Sequence, residues 1–200
     1  MRLLIMRHGS TAGNAACRYV GRQTDEPLSE EGRAACLHAC MCPLVDTVYV
    51  SPLLRARQTA QLCFPHACLC HVPGLEEYDF GIFEGKSYRD MEHDPDFRYW
   101  VEVTRCMGPC PHGDARLVFQ HRVCAAFRRE VEQAMEAGRE RLYFVVHGGV
   151  IMSVMDRFAF PEAPYFSWRL DNCQGYRCNV QMGPEGLVLT DVCHLEKVGS

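Results

Sequence analysis

Leu3-Leu4-Ile5-Met6-Arg7-His8-Gly9-Ser10-Thr11-Ala12-Gly13-Asn14 runs four apolar residues straight into Arg-His-Gly and then into small and polar side chains. The apolar run from Arg2 to Met6 is short and does not alternate, so it reads as a buried strand that delivers a polar loop to the edge of a sheet. The same grammar recurs twice. Asp46 to Val50 reads as a strand and is followed by Ser51-Pro52-Leu53-Leu54-Arg55, and Arg141 to Val146 reads as a strand and is followed by His147-Gly148-Gly149.

Helical patterns fill the intervals. Ser29 is placed to cap a helix from about Glu30 to Met41 that Pro43 closes, and Leu53 to Phe64 is a second. Cys68 to Val72 reads as a short strand. Asp114 is placed to cap a long amphipathic helix that reaches about Ala137 and stops at Gly138. Val150 to Phe158 is helical, and Tyr176 to Met182 with Leu187 to His194 form two strands around a turn at Gly183-Pro184-Glu185-Gly186. Strands alternating with helices predict a three-layer α/β/α sandwich with a mostly parallel central sheet. Asp94 to Gly113, rich in Pro, Gly and aromatics, follows no period and is the candidate cap or specificity insert of one domain spanning 1–200.

The 200 residues, 48% hydrophobic and 23% charged, fit a folded globular chain with a sizeable core. A net charge of −4, with both signs interspersed, leaves no basic footprint for nucleic acid or an anionic membrane, so the expected partner is a small solute. No apolar run approaches a spanning helix, and Arg7 and His8 interrupt the opening run too early for a signal-peptide core. That points to the cytoplasm. The 13 cysteines are odd in number, and Cys36/Cys40/Cys42 and Cys63/Cys68/Cys70 hold no C-x-x-C pair. They read first as small hydrophobes in a reducing compartment, with a metal or redox role as the competing reading.

In open α/β sheets ligands bind at the carboxyl ends of the strands, and all three polar clusters fall there. Arg7, His8, Arg55 and His147 can therefore converge. Guanidinium forks bind phosphate oxygens in pairs, and the backbone at Gly9 and Gly149 can approach an anion closely, so a phosphate dianion is the implied guest.

The stretch Leu3 to Asn14 resembles the opening R-H-G-x-T-x-x-N signature of the histidine phosphatase superfamily, the phosphoglycerate-mutase-like enzymes. Ser51-Pro52-Leu53-Leu54-Arg55-Ala56-Arg57-Gln58-Thr59-Ala60 is similar to the family's S-x-L-x-R-A-x-Q-T-A, Leu75 to Gly85 to its L-x-E-x-x-x-G-x-x-E-G, and Val146-His147-Gly148-Gly149 to its second histidine motif. The resemblance implies a phosphohistidine mechanism. His8 is then the nucleophile, Arg7, Arg55 and His147 hold the phosphoryl oxygens, Asn14 adds a neutral donor, and Glu77 is the general acid. It implies no metal and no cofactor, since side chains supply the positive charge.

Glu76, Asp79 and Glu84 compete with Glu77, and the family spacing selects Glu77; Glu84 is assigned a loop-ordering role. Arg57 lies about 200° around the helix from Arg55 and points elsewhere. Two departures stand out. One extra residue separates Gly21 from Asp25, which leaves the substrate contacts of Arg22, Gln23 and Thr24 open, and Gly113-Asp114-Ala115 replaces the Gly-Glu-Ser of many relatives, which leaves Asp114 as a helix cap first and a substrate ligand as the alternative.

The region from Met91 to Gly113 is shorter than in the dimeric mutases, which favours a phosphatase acting on a small phosphorylated metabolite over a mutase. Tyr19-Val20-Gly21, Thr24 to Leu28 and Leu75 to Gly85 look like bacterial α-ribazole phosphatases of cobalamin synthesis or their broad-specificity kin. A homodimer is compatible with this reading. A catalytically idle binding domain is the outside alternative, and it would be expected to lack one of His8, Glu77 or the arginines.

Overall fold

The computed structural model describes residues 1–39, 45–184 and 186–196. Its elements in chain order are β1 (Arg2–Arg7), α1 (Ala12–Ala15), α2 (Glu30–Ala39), β2 (Thr47–Val50), α3 (Leu54–Cys63), β3 (Cys68–His71), α4 (Tyr88–Met91), α5 (Pro95–Arg98), α6 (Arg116–Glu136), β4 (Arg141–Val146), α7 (Gly148–Phe158), β5 (Gly175–Gly183) and β6 (Gly186–Leu195). Single turns of 3₁₀ helix at Gly81–Phe83 and Tyr165–Trp168, and a π turn at Tyr99–Val103, complete the set.

The strands form one six-stranded sheet in the order β3-β2-β4-β1-β5-β6. The pairings β2/β3, β2/β4 and β1/β4 are parallel, and β1/β5 and β5/β6 are antiparallel. The hairpin thus adds an antiparallel edge to a parallel core, as mixed α/β sheets commonly do. β1 has β4 on one side and β5 on the other, and its apolar run follows from that place. Leu3 and Ile5 enter the core shared with α6 and α7, while Leu4 and Met6 enter the smaller core under α2 and α3. A strand covered on both faces needs apolar residues at every position.

Most expected elements appear within two residues of the bounds read from the sequence. Ser29 Oγ accepts the Gly32 N–H at 3.0 Å, the bond of an N-cap, and Gly138 follows α6 in the left-handed conformation at φ 68°. The expected end of α2 at Met41 and its stop at Pro43 lie outside the described residues, as does Glu185 of the β5–β6 turn.

Asp114 is not the cap of α6. The helix starts at Arg116 with Ala115 at the N-cap and no side-chain cap. Asp114 instead turns its carboxylate toward the loop before α4, accepting from Asp79 N at 3.1 Å and Arg122 Nη2 at 3.4 Å. Its backbone is committed there as well, receiving Tyr78 Oη and Cys110 N at its carbonyl. With its carboxylate taken by Asp79 N and by Arg122 further along α6, and its carbonyl by Tyr78 and Cys110, Asp114 is not free to cap the first turn of its helix.

Candidate active site

β1, β2 and β4 end side by side, and their carboxyl ends carry Arg7-His8, Ser51 and His147. His8, Arg55 and His147 are all but fully buried, at 3%, 0% and 0% exposure. The two imidazoles meet edge to face with centroids 5.0 Å apart.

Each group is oriented by a specific bond. The ring of His8 is fixed through Nδ1, 2.7 Å from the Gly9 carbonyl, which makes Nδ1 the protonated nitrogen and Nε2 the unprotonated one that carries the lone pair. Arg55 Nε points at that Nε2 from 3.3 Å, and its other nitrogens are held by the carbonyls of Thr24 at 2.7 Å and Gly21 at 3.0 Å. Burial first, then the Arg55 and Arg7 charges, holds His8 well below the ordinary imidazole pKa, so the ring is neutral. His147 is depressed in the same sense, again chiefly by burial and then by Arg55. Its Nε2 lies 2.7 Å from Ser51 Oγ.

Two buried nitrogens in this cluster, Arg7 Nε and His147 Nδ1, have no hydrogen-bond partner among the described residues. Buried polar nitrogens are normally satisfied, so this pair leaves unused bonding capacity inside the cluster. Arg7 is braced by Nη1 on the Leu170 carbonyl at 2.6 Å. Asn14 closes a capping box with Thr11, accepting its N–H at Oδ1, so the amide nitrogen is left for the cavity that Asn14 lines.

Glu77 is 8% exposed and lies on the floor of a cavity of about 580 Å³ with Arg7, Gly148 and Gly149. Its carboxylate accepts from Gly149 N at 3.0 Å and Tyr78 N at 2.8 Å. Burial raises its pKa, against the opposing pull of those two N–H groups and of Arg55 and Arg7. The rival carboxylates are spent elsewhere. Glu76 bonds Gly74 N and Arg122, Asp79 bonds Gln23 Nε2 and Gly81 N, and Glu84 bonds Gly21 N and Thr24 Oγ1. The Glu84 contacts tie the Gly21–Thr24 loop down. Arg22 is exposed, and Thr24 meets the site through its backbone carbonyl on Arg55.

Several contributors escape a reading by sequence. Arg122 lies one helix away and threads the Glu77 loop, donating to the carbonyls of Gly74, Glu76 and Glu77 at 3.0, 3.1 and 3.3 Å. Asn172 Nδ2 holds the His8 carbonyl at 2.9 Å across 164 positions of sequence. The cavity wall is aromatic, with Tyr19, Phe80, Trp100, Tyr165 and Phe166, and Arg116 stacks on Tyr165 at 3.6 Å from the ring centroid. Trp100 is the one wall residue from the predicted 94–113 insert with a composition signal, as an aromatic in an aperiodic stretch. No group of three or more His, Cys, Asp or Glu side chains suited to a metal ion occurs among the described residues.

A family model described as the histidine phosphatase superfamily, branch 1, matches residues 3–191. The chain belongs to this superfamily. It is 31% identical over 197 residues to an adenosylcobalamin/alpha-ribazole phosphatase of Salmonella typhimurium, covering 88% of this chain and 93% of that protein. The alpha-ribazole phosphatase structure from Shigella flexneri has the same fold, with a TM-score of 0.75 at 24% identity over 100% of this chain and 98% of that one. A phosphoglycerate mutase structure from Thermus thermophilus matches with a TM-score of 0.66 and 27% identity over 98% of each chain. Membership explains why the three strand ends and the Glu77 loop carry polar groups together.

Proposed function

We propose that the protein is a phosphomonoesterase that works through a phosphohistidine on His8. The observation that carries this reading is the neutral, oriented His8 whose Nε2 faces Arg55 Nε, in a buried cluster that leaves Arg7 Nε and His147 Nδ1 without partners among the described residues. In the first step Nε2 attacks phosphorus and the ester oxygen departs, taking a proton from Glu77. In the second, Glu77 removes a proton from water, which attacks the phosphohistidine and releases inorganic phosphate. Arg7, Arg55, His147 and Asn14 hold the phosphoryl oxygens through both steps, where positioning and charge supply most of the rate. The side chains around the phosphate provide the positive charge themselves, so the reaction is assigned no metal.

For the substrate we propose a small phosphorylated metabolite with an aromatic body, α-ribazole 5′-phosphate first among them, and the cytoplasm as its compartment. Similarity to the Salmonella phosphatase and the ring-lined cavity support this choice. Likeness to a phosphoglycerate mutase favours phosphoryl transfer as the second reading. A phosphate-release panel separates them, with α-ribazole 5′-phosphate, 3-phosphoglycerate and an aryl phosphate, run with and without a chelator. Release from the first and third substrates, unchanged by chelator, is the expected result. Isomerisation of 3-phosphoglycerate without release would establish the mutase instead.

A further inference from the structure

In the smaller core, directly under the Arg7-His8-Gly9 loop, two thiols that the proposed chemistry does not use lie in contact. Cys36 on α2 and Cys173 in the turn before β5 are both free and buried, with Sγ atoms 3.5 Å apart. Both are wired to the loop. Cys173 N donates to the carbonyls of Arg7 at 3.2 Å and His8 at 3.3 Å, and the residue sits in the left-handed region at φ 65°. Cys36 Sγ packs so closely on Gly9 that a Cβ there would stand 2.5 Å from the sulfur. It also lies 3.9 Å from Thr59 Oγ1, the oxygen that accepts the Gly9 N–H at 2.9 Å.

We propose that Cys36 and Cys173 form a reversible redox site, which a small hydroperoxide closes to a disulfide and which thereby shifts the nucleophile loop out of its working position. A disulfide requires the sulfurs at about 2.05 Å, so closure shortens their separation by roughly 1.5 Å, a change shared between the two side chains and the segments that carry them, α2 and the Cys173 turn. Gly9 stands against Cys36, and the Cys173 N–H is bonded to the loop, so the loop moves with them.

The chemistry balances with the peroxide as sole oxidant. A Cys36 sulfur attacks the O–O bond, becoming a sulfenic acid and releasing water or the alcohol. Cys173 then attacks that sulfur, the S–S bond forms and a second water leaves, so two thiols have lost two electrons and two protons to the peroxide. The bond between the thiols draws Cys36 below its ordinary pKa and pushes Cys173 up, the direction that favours attack by Cys36, and the same disulfide forms whichever sulfur is oxidised first. Burial excludes bulky thiol reagents and leaves only an oxidant as small as hydrogen peroxide to reach the pair.

The effect on turnover rests on the reading of His8 as nucleophile, while formation of the bond rests on the sulfur geometry alone. The test treats the purified protein with hydrogen peroxide, maps peptides without reduction, follows the His8 imidazole resonance, and measures phosphate release from an aryl phosphate. Expected are a Cys36–Cys173 linked peptide, a shifted His8 resonance, and a loss of about 10²-fold, the scale of an ångström's misplacement, that dithiothreitol reverses. Cys36→Ser and Cys173→Ser should keep their activity in peroxide, with Cys36→Ala and Cys173→Ala as replacements if either serine variant misfolds. Cys17→Ser, at the exposed rim of the cavity, should stay sensitive. Loss of activity that persists in Cys36→Ser, absence of the linked peptide, or a fully linked protein with an unmoved His8 resonance and full activity would each overturn the proposal. If untreated protein releases phosphate from no substrate, the phosphatase reading fails, and the peptide map with the His8 resonance still decides the redox site.

Discussion

The floor of the site, meaning Arg7 and Glu77 at the base of the cavity and the His8, Arg55 and His147 cluster grouped with them, hangs from strand ends, helix starts and the Glu77 loop, and its His8, Arg55 and His147 are buried to within 3% of completely. The wall comes from single turns and irregular chain, and it includes Tyr88 and Phe166 at 56% and 58% exposure. On the floor each side chain has one orientation, set by a hydrogen bond to backbone or to a buried hydroxyl. On the wall, rings pack edge to face, as Tyr19 does with Phe80 at 5.1 Å and with Trp100 at 6.1 Å. Directional bonds in a dry site fix reacting atoms; ring contacts define a volume and tolerate exchange. The floor should therefore govern the chemical step and the wall the choice of alcohol.

His8→Ala should break the floor most completely, costing about 10⁴-fold or more in turnover and eliminating the proposed phosphoenzyme, since the proposed nucleophile has no substitute. Labelled substrate should leave an acid-labile, base-stable adduct on the parent protein and none on the variant.

Glu77→Gln should cost roughly 10²- to 10⁴-fold on alkyl phosphates and far less on an aryl phosphate whose phenolate leaves unaided. The same variant should alter the pH profile. In the proposed mechanism Glu77 acts protonated and His8 neutral; burial raises the Glu77 pKa, so the rate with alkyl esters should fall as pH rises through that raised value. His8 acts neutral with a lowered pKa, so the acid limb lies below the ordinary imidazole range. Glu77→Gln should remove the alkaline limb and keep the acid one. Glu76→Gln should lower both substrates mildly, and equal losses in the two variants would mean the carboxylate is misassigned.

Gly149→Ala tests whether the position of Glu77, as well as its presence, matters. A Cβ there would stand 2.4 Å from Glu77 Oε1, so the carboxylate must move. A loss of about 10²-fold on alkyl phosphates, with little change on the aryl ester, is expected from such a displacement.

Phe166→Ala probes the wall, and its exposure leaves the fold intact. It should raise KM about 3- to 10-fold for a substrate with an aromatic alcohol, the worth of one ring contact, and leave kcat near that of the parent. A comparable fall in kcat would erase the distinction between floor and wall.

By itself the sequence determined the layered α/β architecture and the positions of Arg7, His8, Arg55 and His147, because strand runs and the residues that follow them are local patterns. Covering β1 on both faces demands the run Leu3 to Met6, and the loop after it is bound to emerge at the sheet's edge. Tertiary structure alone decided the rest. Whether Asp114 caps its helix or crosses to the Glu77 loop depends on Arg122 and Asp79, which local propensity does not see. That Glu76 faces Arg122 while Glu77 faces the cavity follows from which N–H groups the folded chain presents. Ser51 beside His147, Asn172 beside His8 and Cys173 beside Cys36 join positions 96, 164 and 137 residues apart. Such contacts depend on the crossing of distant segments, and their energy lies in directional bonds made only after the chain has closed.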